Sequence, residues 1–364
     1  MKGNLITIAT ETYARALILQ GFLQSKGIEC ILQNVNLVQP NVSDGVKVMI
    51  HEKDVEKAIR LLSTSQPLGK TEAAPAKILV PVDFTTGSIN AAKFALKLAH
   101  RFSSEVKILH VFHSPTIDMI PFSDVGSIQI DFDYNNQVVQ HEAKKQLLQM
   151  YEELKNFMKE QKLENARIGY SLREGFAAFG IVDVARRYKP TLIIMGTRSS
   201  GFESVELVGD VAAQVAEETK IPLLVLPENV SLSEPSNVNN ILYALHLDGK
   251  DAFALRKLFS LLRGFKIKVR CIYASENPED AIVKAKMKEL QSYIHKTIKN
   301  TEITFEILHS KDAFQTFRRA LVEENIDLFA LTMRKRSFWV RLFNPSLTRQ
   351  MLAQSDTPML IFPV

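Results

Sequence analysis

A repeated order of strand-like and helix-like stretches is the feature that most constrains the fold of this 364-residue chain. The middle of the sequence alternates short apolar runs with amphipathic stretches, and the last third repeats that order. The spacing repeats as well, because Gly196 and Pro222 lie 26 positions apart and so do Thr332 and Pro358. Prolines also bracket the final apolar run of each copy. Agreement in both order and spacing indicates the duplication of one α/β unit.

The apolar runs of both copies predict parallel strands. Runs such as Ile78–Val82 and Leu223–Leu226 are apolar at nearly every position, as strands are when helices cover both faces of their sheet. We therefore predict two doubly wound, Rossmann-like α/β domains, each with a parallel sheet. An insertion of polar and aromatic residues, which ends near Asn136, interrupts the first domain before a helix that starts at Val138. It is either a lid over a pocket or a mobile loop.

Two polar segments that contain prolines, 65–75 and 227–237, divide the chain into three parts. The predicted domains are a small α+β domain over residues 1–65 and the two α/β domains over residues 76–228 and 238–364. The lengths of these parts agree with the usual size of a domain, since one core rarely organises so many residues.

The first part alternates strand and helix patterns, with strand-like runs at Leu5–Ala9, Ile28–Leu32 and Val46–Ile50. The string ALILQGFLQSKG at Ala16–Gly27 and the apolar run Ala58–Leu62 resemble a small signal-transducing domain of unknown function from prokaryotes, the DUF2007-like domain. That resemblance implies an α+β fold and a role in signalling. It rests on pattern and on no chemical motif.

Composition excludes several classes of protein. Apolar residues make up 46% and charged residues 23% of the chain, which excludes a disordered, collagen-like or coiled-coil protein. Cys30 and Cys271 stand on strand-like runs far apart, so we expect buried packing residues and neither a disulfide framework nor a cysteine-rich metal site. No long apolar run and no signal-peptide pattern is present, and we therefore expect a cytoplasmic protein without membrane insertion.

The strand ends of the middle domain carry a second resemblance. The strand-like run Ile78–Val82 is followed by an acid, Asp83. The next strand contains the sequence Leu-His-Val at Leu109–Val111. A Met-Gly-Thr run contains Gly196, and Gly209 lies 13 positions after that glycine. With the short last strand bracketed by prolines, these features resemble tandem universal stress protein domains over nearly 290 residues. The resemblance implies adenine nucleotide alpha hydrolase-like sheets, with any nucleotide bound beyond the carboxyl ends of the strands.

In the ATP-binding members of that family, one loop reads Gly, two residues, Gly, nine residues, Gly and then Ser or Thr. Glycines let the backbone approach phosphates, and the helix that follows offers unpaired N–H groups. The resemblance implies that Gly196 and Gly209 match the first and third glycines, that Asp83 lies near the ribose, that the backbone of Val111 addresses the adenine and that Val82 lines the base pocket. The candidate nucleotide-binding residues are Val82, Asp83, Val111, Met195, Gly196, Arg198, Gly201, Gly209 and Asp210.

Two departures from the loop pattern affect this pocket. Ser199 replaces the second glycine, although Gly201 would supply a displaced flexible point, and Asp210 replaces the hydroxyl residue. At an effective dielectric constant near 20, a carboxylate about 4 Å from a phosphate charge repels it by roughly 4 kcal/mol. This repulsion lowers the affinity by about three decades. Asp210 therefore either caps its helix in a degenerate pocket or joins Mg²⁺ or Mn²⁺ to the phosphates of ATP or AMP. Without nucleotide we expect no metal there.

The final domain departs further from the pattern. Thr332 stands at the first glycine position, Pro345 at the third and His246 at the acid. Residues 334–343 contain four basic residues, three aromatic residues and no acidic residue, and they either bind an anion or form a solvated basic loop with packed aromatic rings. The candidate anion-binding residues are Arg334, Lys335, Arg336 and Ser346. Residues 238–364 hold 20 Lys or Arg against 13 Asp or Glu, so an anionic partner should favour this end.

No catalytic residue is predicted, because the sequence contains neither a Walker A lysine nor a nucleophile elbow. His110 and His113 have a spacing found in metal sites, but no carboxylate or cysteine accompanies them, which favours a core histidine. We predict a non-enzymatic universal stress protein that acts as a stress-response binding and regulatory module. The alternatives are an ATP-dependent switch or slow ATPase with Mg²⁺ or Mn²⁺, and an interaction scaffold whose basic loop contacts nucleic acid or membrane, although nothing requires such a partner.

The family resemblance also implies how the two α/β domains meet. In the family, the last strands of two domains pair antiparallel across a two-fold axis, so Pro222–Leu226 should pair with Met359–Phe362 as an intrachain pseudo-dimer. The expected partners are an adenine nucleotide and an unidentified protein, and further homodimerisation is a second possibility.

Overall fold

The structure is a computed structural model. It describes residues 5–11, 20, 23–24, 27–34, 46–55, 57–58, 77–113, 125–197, 210–228, 234–247, 250–298, 301–323, 325–333 and 357–363. The chain divides into two units, Met1–Glu72 and Ala73–Val364.

The small unit contains a three-stranded antiparallel sheet in the order β1-β3-β2. Its strands are β1 (Leu5–Glu11), β2 (Cys30–Asn34) and β3 (Val46–His51). Apolar side chains from one face of the sheet and from residues outside it form the core, which among the described residues comprises Leu23, Ile28, Cys30, Val48, Ile50 and Ala58. Cys30 is buried as expected, and burial raises the pKa of its thiol.

The large unit is built on one ten-stranded sheet with helices on both faces. Its strands are β4 (Lys77–Val82), β5 (Glu105–Phe112), β6 (Arg167–Glu174), β7 (Leu192–Thr197), β8 (Leu223–Pro227), β9 (Asn240–Ala244), β10 (Lys268–Ser275), β11 (Glu302–His309), β12 (Leu328–Met333) and β13 (Met359–Pro363). Its helices are α1 (Thr86–Phe102), α2 (Val125–Glu160), α3 (Ala177–Tyr188), α4 (Asp210–Glu218), α5 (Lys250–Leu261), α6 (Ala281–Thr297) and α7 (Ala313–Glu323). The strand order is β11-β10-β9-β12-β13-β8-β7-β4-β5-β6. The predicted α/β fold class is confirmed.

The two halves of this sheet repeat one another in register. The pairing of Lys77 with Glu105 in β4 and β5 recurs as the pairing of Asn240 with Lys268 in β9 and β10, with the same separation. Within each half every pair of neighbouring strands is parallel. Helices α1, α2, α5 and α6 cover one face, and α3, α4 and α7 cover the other. This double cover explains the near-continuous apolar composition of the central strands.

The halves meet where β8 pairs antiparallel with β13, as expected. Leu224 lies opposite Leu360, and Leu223 lies opposite Ile361. Because Leu224 pairs with β7 as Leu360 pairs with β12, the junction is symmetric about these two leucines. Each strand covers an edge that the other half would otherwise expose. The two halves therefore share a continuous sheet and form one unit.

A small apolar cavity of about 30 Å³ lies beside this junction. Its lining comes from both halves and includes Leu98, Leu224, Leu261, Leu328 and Leu360. Part of the segment predicted as a linker also contributes, because Pro235 is buried there beside Val238, the first residue after that segment. The junction is thus packed by apolar side chains as well as by backbone hydrogen bonds.

Replacing Leu360 by Ala should destabilise the large unit by about 3 kcal/mol, because it removes buried methyl groups and enlarges an existing cavity. Leu360 is 3% exposed. The measurement is urea denaturation followed by circular dichroism, with Val322→Ala as the control because Val322 on α7 is 76% exposed. Equal losses for the two variants would contradict a packed junction.

Helix α2 begins at Val125, so the prediction that the insertion ends near Asn136 is wrong. In the described part of α2, the side chains of Ala143, Leu147, Met150 and Leu154 are buried at helical spacing. The sequence continues that spacing towards Val125, and a helix that has formed extends readily because each added residue contributes a hydrogen bond.

No helix among the described residues is both long and apolar enough to cross a membrane.

Candidate functional site

The candidate site lies at the carboxyl ends of β4, β5 and β7, which are adjacent in the sheet. The chain moves outward from β4 in one direction to β5 and β6 and in the other to β7 and β8, so the strand order reverses between β4 and β7. Ligands of open α/β sheets bind at such a reversal. Five predicted residues lie within the last three positions of these strands or directly follow them, namely Val82, Asp83, Val111, Met195 and Gly196.

The other predicted residues lie wholly or partly outside the described part of the chain. Asp210 is the first residue of α4, but its side chain is outside the described part. Arg198, Gly201 and Gly209 lie outside the described residues, as do the candidate anion-binding residues of the second half, Arg334, Lys335, Arg336 and Ser346. The described part of the site consists of the strand ends and the start of α1.

The carboxylate of Asp83 is held in place by the turn that leads into α1. Its Oδ1 accepts hydrogen bonds from the Thr85 backbone N–H at 3.2 Å and from the Thr85 hydroxyl at 2.5 Å. Thr85 in turn caps α1, since its hydroxyl oxygen accepts from the Ser88 N–H at 3.3 Å. The hydroxyl of Ser88 accepts from the Asp83 N–H at 3.3 Å. Thr85 thus holds the Asp83 carboxylate, and Ser88 holds the Asp83 backbone, at the carboxyl end of β4.

Sequence reasoning missed Thr85 and Ser88. The available signal was a hydroxyl residue two positions after an aspartate at the start of a helix, which is the pattern of a side-chain turn followed by a cap. The family resemblance assigned a role in this turn only to Asp83.

A histidine closes the site on the β5 side. The Nδ1 of His110 lies 2.8 Å from the carbonyl oxygen of Val82, and because a carbonyl only accepts, Nδ1 carries the proton. Phe84, which has a positive φ of 64°, places its ring 4.3 Å from the imidazole. His113 stacks instead on Phe176 at 4.9 Å. Among the described residues no group of three or more His, Cys, Asp and Glu side chains has metal-binding geometry.

Gly196 is required by packing. A Cβ atom there would lie 2.2 Å from the carbonyl oxygen of Gly87 and 2.6 Å from the backbone nitrogen of Ser88. Gly87 faces the same contact, because its own Cβ would lie 3.1 Å from the carbonyl oxygen of Thr197. The two glycines let the end of β7 approach the first turn of α1. This close approach accounts for glycine at position 196 independently of any ligand.

Val111 is positioned by α3. A Cβ atom on Gly180 would lie 2.9 Å from the Val111 Cγ1, so the side chain of Val111 packs directly on the helix backbone. Val111 therefore presents only its backbone to the carboxyl edge of the sheet. That arrangement agrees with the predicted use of its backbone groups, which stays a prediction.

The sequence of this chain is similar to those of known proteins. The sequence profile of the Universal stress protein family matches residues 76–227. A universal stress protein of Methanocaldococcus jannaschii is 30% identical over 151 residues, which cover 41% of this chain and 81% of that relative. The chain belongs to the universal stress protein family. The predicted family is thereby confirmed for the first half of the sheet.

Solved structures resemble a larger part of this universal stress protein. A universal stress protein from Archaeoglobus fulgidus superposes with a TM-score of 0.59 at 15% identity and covers 79% of this chain and 98% of its own. A functionally unknown protein from Pseudomonas aeruginosa gives a TM-score of 0.50 at 12% identity, with coverages of 80% and 94%. Such coverage exceeds either half of the ten-stranded sheet, so the shared fold extends across the junction. At these identities the likeness concerns the fold alone.

Proposed function

We propose that this universal stress protein is a non-enzymatic binding and regulatory module with a degenerate adenine-nucleotide pocket in its first half. The observation that carries the proposal is the oriented Asp83 carboxylate at the reversal of strand order. A carboxylate there is an acceptor for the hydroxyl groups of a ribose, and Thr85 already holds one of its oxygens. The backbone of Val111 lies at the end of the neighbouring strand, where it offers polar groups to a base.

The start of α4 supports the view that the pocket is degenerate. Asp210 is the first residue of that helix, and the first turn of a helix has free N–H groups that can receive a phosphate. A negative side chain is favourable at a helix N-terminus and competes there with an anionic ligand. Nucleotide binding would then be weak.

The second candidate function is an ATP-dependent switch or slow ATPase that uses Mg²⁺ or Mn²⁺. It is favoured by the same aspartate, because carboxylate and phosphate oxygens are both ligands of hard divalent cations. In that case Asp210 would join the cation to the nucleotide, and removing its carboxylate would weaken binding. The two candidates therefore predict opposite effects of one substitution.

Asp210→Ser should strengthen binding of ATP in the presence of Mn²⁺ if the pocket is degenerate. Removing a repulsion of roughly 4 kcal/mol corresponds to an affinity gain of up to about three decades. The measurement is isothermal titration calorimetry on the full chain. Glu218→Ser is the matched control, because it removes the same charge from the far end of α4. Tight binding to the wild type that the Asp210 variant loses would establish the metal-dependent switch instead.

We further propose that the second half is a degenerate universal stress domain and that the β8–β13 junction is an intrachain pseudo-dimer. The repeated register of the two halves supports this proposal, as does the symmetric pairing at Leu224 and Leu360. We place the protein in the cytoplasm and assign the small N-terminal unit a signalling role towards a protein partner. The predicted DUF2007-like resemblance of that unit, the domain boundaries and further homodimerisation stay predictions.

A further inference from the structure

We propose that the chain's own side chains seal the crevice in the second half, so that the protein has a single nucleotide site. This inference rests on the proposed function in that it takes the first-half crevice as the nucleotide site. The residues concerned are His246, Asp251 and Thr332. They occupy the positions of Asp83, Ser88 and Gly196 of the first half, respectively.

The equivalence of the two crevices follows from the backbone. His246 lies six positions after Asn240, the first residue of β9, as Asp83 lies six positions after Lys77, the first residue of β4. The next residue has a left-handed conformation in both cases, with φ of 64° at Phe84 and 55° at Leu247. The Asp83 N–H donates to Ser88, and the His246 N–H donates to the corresponding residue, Asp251. The two loops are therefore the same structural element with different side chains.

Thr332 stands where the first half has Gly196. In the first half a single added Cβ would overlap the backbone of Gly87 at 2.2 Å. Thr332 carries a Cβ and two further heavy atoms and is only 1% exposed, so the start of α5 has to lie farther from β12 than α1 lies from β7. The space so created is occupied by protein, because the Thr332 hydroxyl is 3.0 Å from the His246 Nδ1. This hydrogen bond joins the ends of β9 and β12 across the point of strand reversal.

Asp251 supplies an internal anion to the same loop. Its Oδ2 accepts from the Leu247 N–H at 2.7 Å and from the His246 N–H at 3.1 Å, and its Oδ1 accepts from the Tyr243 hydroxyl at 3.2 Å. The residue is fully buried. A phosphate brought to this loop would meet a carboxylate that already holds the backbone donors, and like charges repel strongly in such surroundings. In the first half the neutral hydroxyl of Ser88 occupies this place.

The test counts nucleotide sites on the full chain. Equilibrium dialysis at saturating ATP with Mn²⁺ should give one equivalent for the wild type and two for the triple variant Thr332→Gly, His246→Asp and Asp251→Ser, which gives all three positions the residues of the first half. Thr332→Ser is the matched control, because it keeps the hydroxyl that contacts His246, and it should leave the count at one. A wild type that binds no ATP, with one equivalent gained in the triple variant, refutes the proposed function of the first half but supports the sealed second half.

Two equivalents on the wild type overturn the inference, as does a folded triple variant that gains no equivalent. Photolabelling of the wild type with 8-azido-ATP provides a second measurement that does not depend on folding of the variant. Labelled peptides should come from residues 77–228. Labelled peptides from residues 240–333 would show an open crevice in the second half and would also overturn the inference.

Discussion

Gly196→Ala should lower the free energy of unfolding of the Ala73–Val364 unit by about 4 kcal/mol. The added Cβ would lie 2.2 Å from the Gly87 carbonyl oxygen, 2.3 Å from its carbonyl carbon and 2.6 Å from the Ser88 nitrogen. Overpacking usually costs about 1–3 kcal/mol when side chains can adjust. Here every opposing atom belongs to the backbone at the start of α1, so relief requires a shift of the helix itself, and the expected cost exceeds that range.

Gly169→Ala is the control for this prediction. Gly169 lies on the edge strand β6, and no heavy atom lies within 4 Å of an added Cβ. Alanine there should leave stability unchanged or raise it slightly, since it reduces the freedom of the unfolded chain. Urea denaturation followed by circular dichroism gives both values. A loss below 1 kcal/mol for Gly196→Ala would show that β7 and α1 are not in the close contact described above.

Asp251→Ala should also cost about 4 kcal/mol. The substitution removes the acceptor of the His246 and Leu247 N–H groups and of the Tyr243 hydroxyl, and it leaves these donors in a site from which solvent is excluded. Each unsatisfied buried donor costs about 1–3 kcal/mol. The charge of this carboxylate also influences its surroundings, because after burial it is the second cause that raises the pKa of the Cys271 thiol.

Two further variants distinguish this role from ordinary helix capping. Asp280→Ala removes an exposed cap of α6, whose carboxylate accepts from the Ile282 N–H at 2.7 Å, and should cost about 1 kcal/mol. Asp251→Ser restores one acceptor, as Ser88 provides in the first half, and should recover part of the loss. Hydrogen exchange of the β9 amides localises the effect. Similar losses for Asp251→Ala and Asp280→Ala would mean that the buried network contributes nothing beyond a cap.

The strand ends illustrate what could be read from residue order. Asp83 was found from its place after an apolar strand, and the structure puts it at the reversal of strand order. The antiparallel pairing of β8 with β13 was expected from the family resemblance, once the repeated spacing had located the last strand of each copy. Both inferences depend on the order of elements along the chain, and parallel sheets convert that order directly into position.

The contacts of three residues could not be predicted from the sequence. These residues are Gly196, Thr332 and Asp251. The family pattern assigned Gly196 to a phosphate, whereas the structure gives it a packing partner in Gly87, and only the folded chain brings those two backbones together. Thr332 was recognised as a departure from the pattern, but its hydrogen bond to His246 was not. Asp251 carried no signal at all, because a single aspartate near a helix start is typical of an exposed cap.

The sequence by itself determined the duplication, the alternation of parallel strands and helices, and the edge of the sheet at which a ligand would bind, because these follow from local hydrophobic periodicity and spacing. Only the tertiary structure decided that one crevice is shaped by two glycines in contact and that its counterpart is filled by a threonine, a histidine and a buried aspartate. Those outcomes depend on distances between atoms that lie far apart along the chain, and sequence patterns specify which elements meet without specifying how closely they approach.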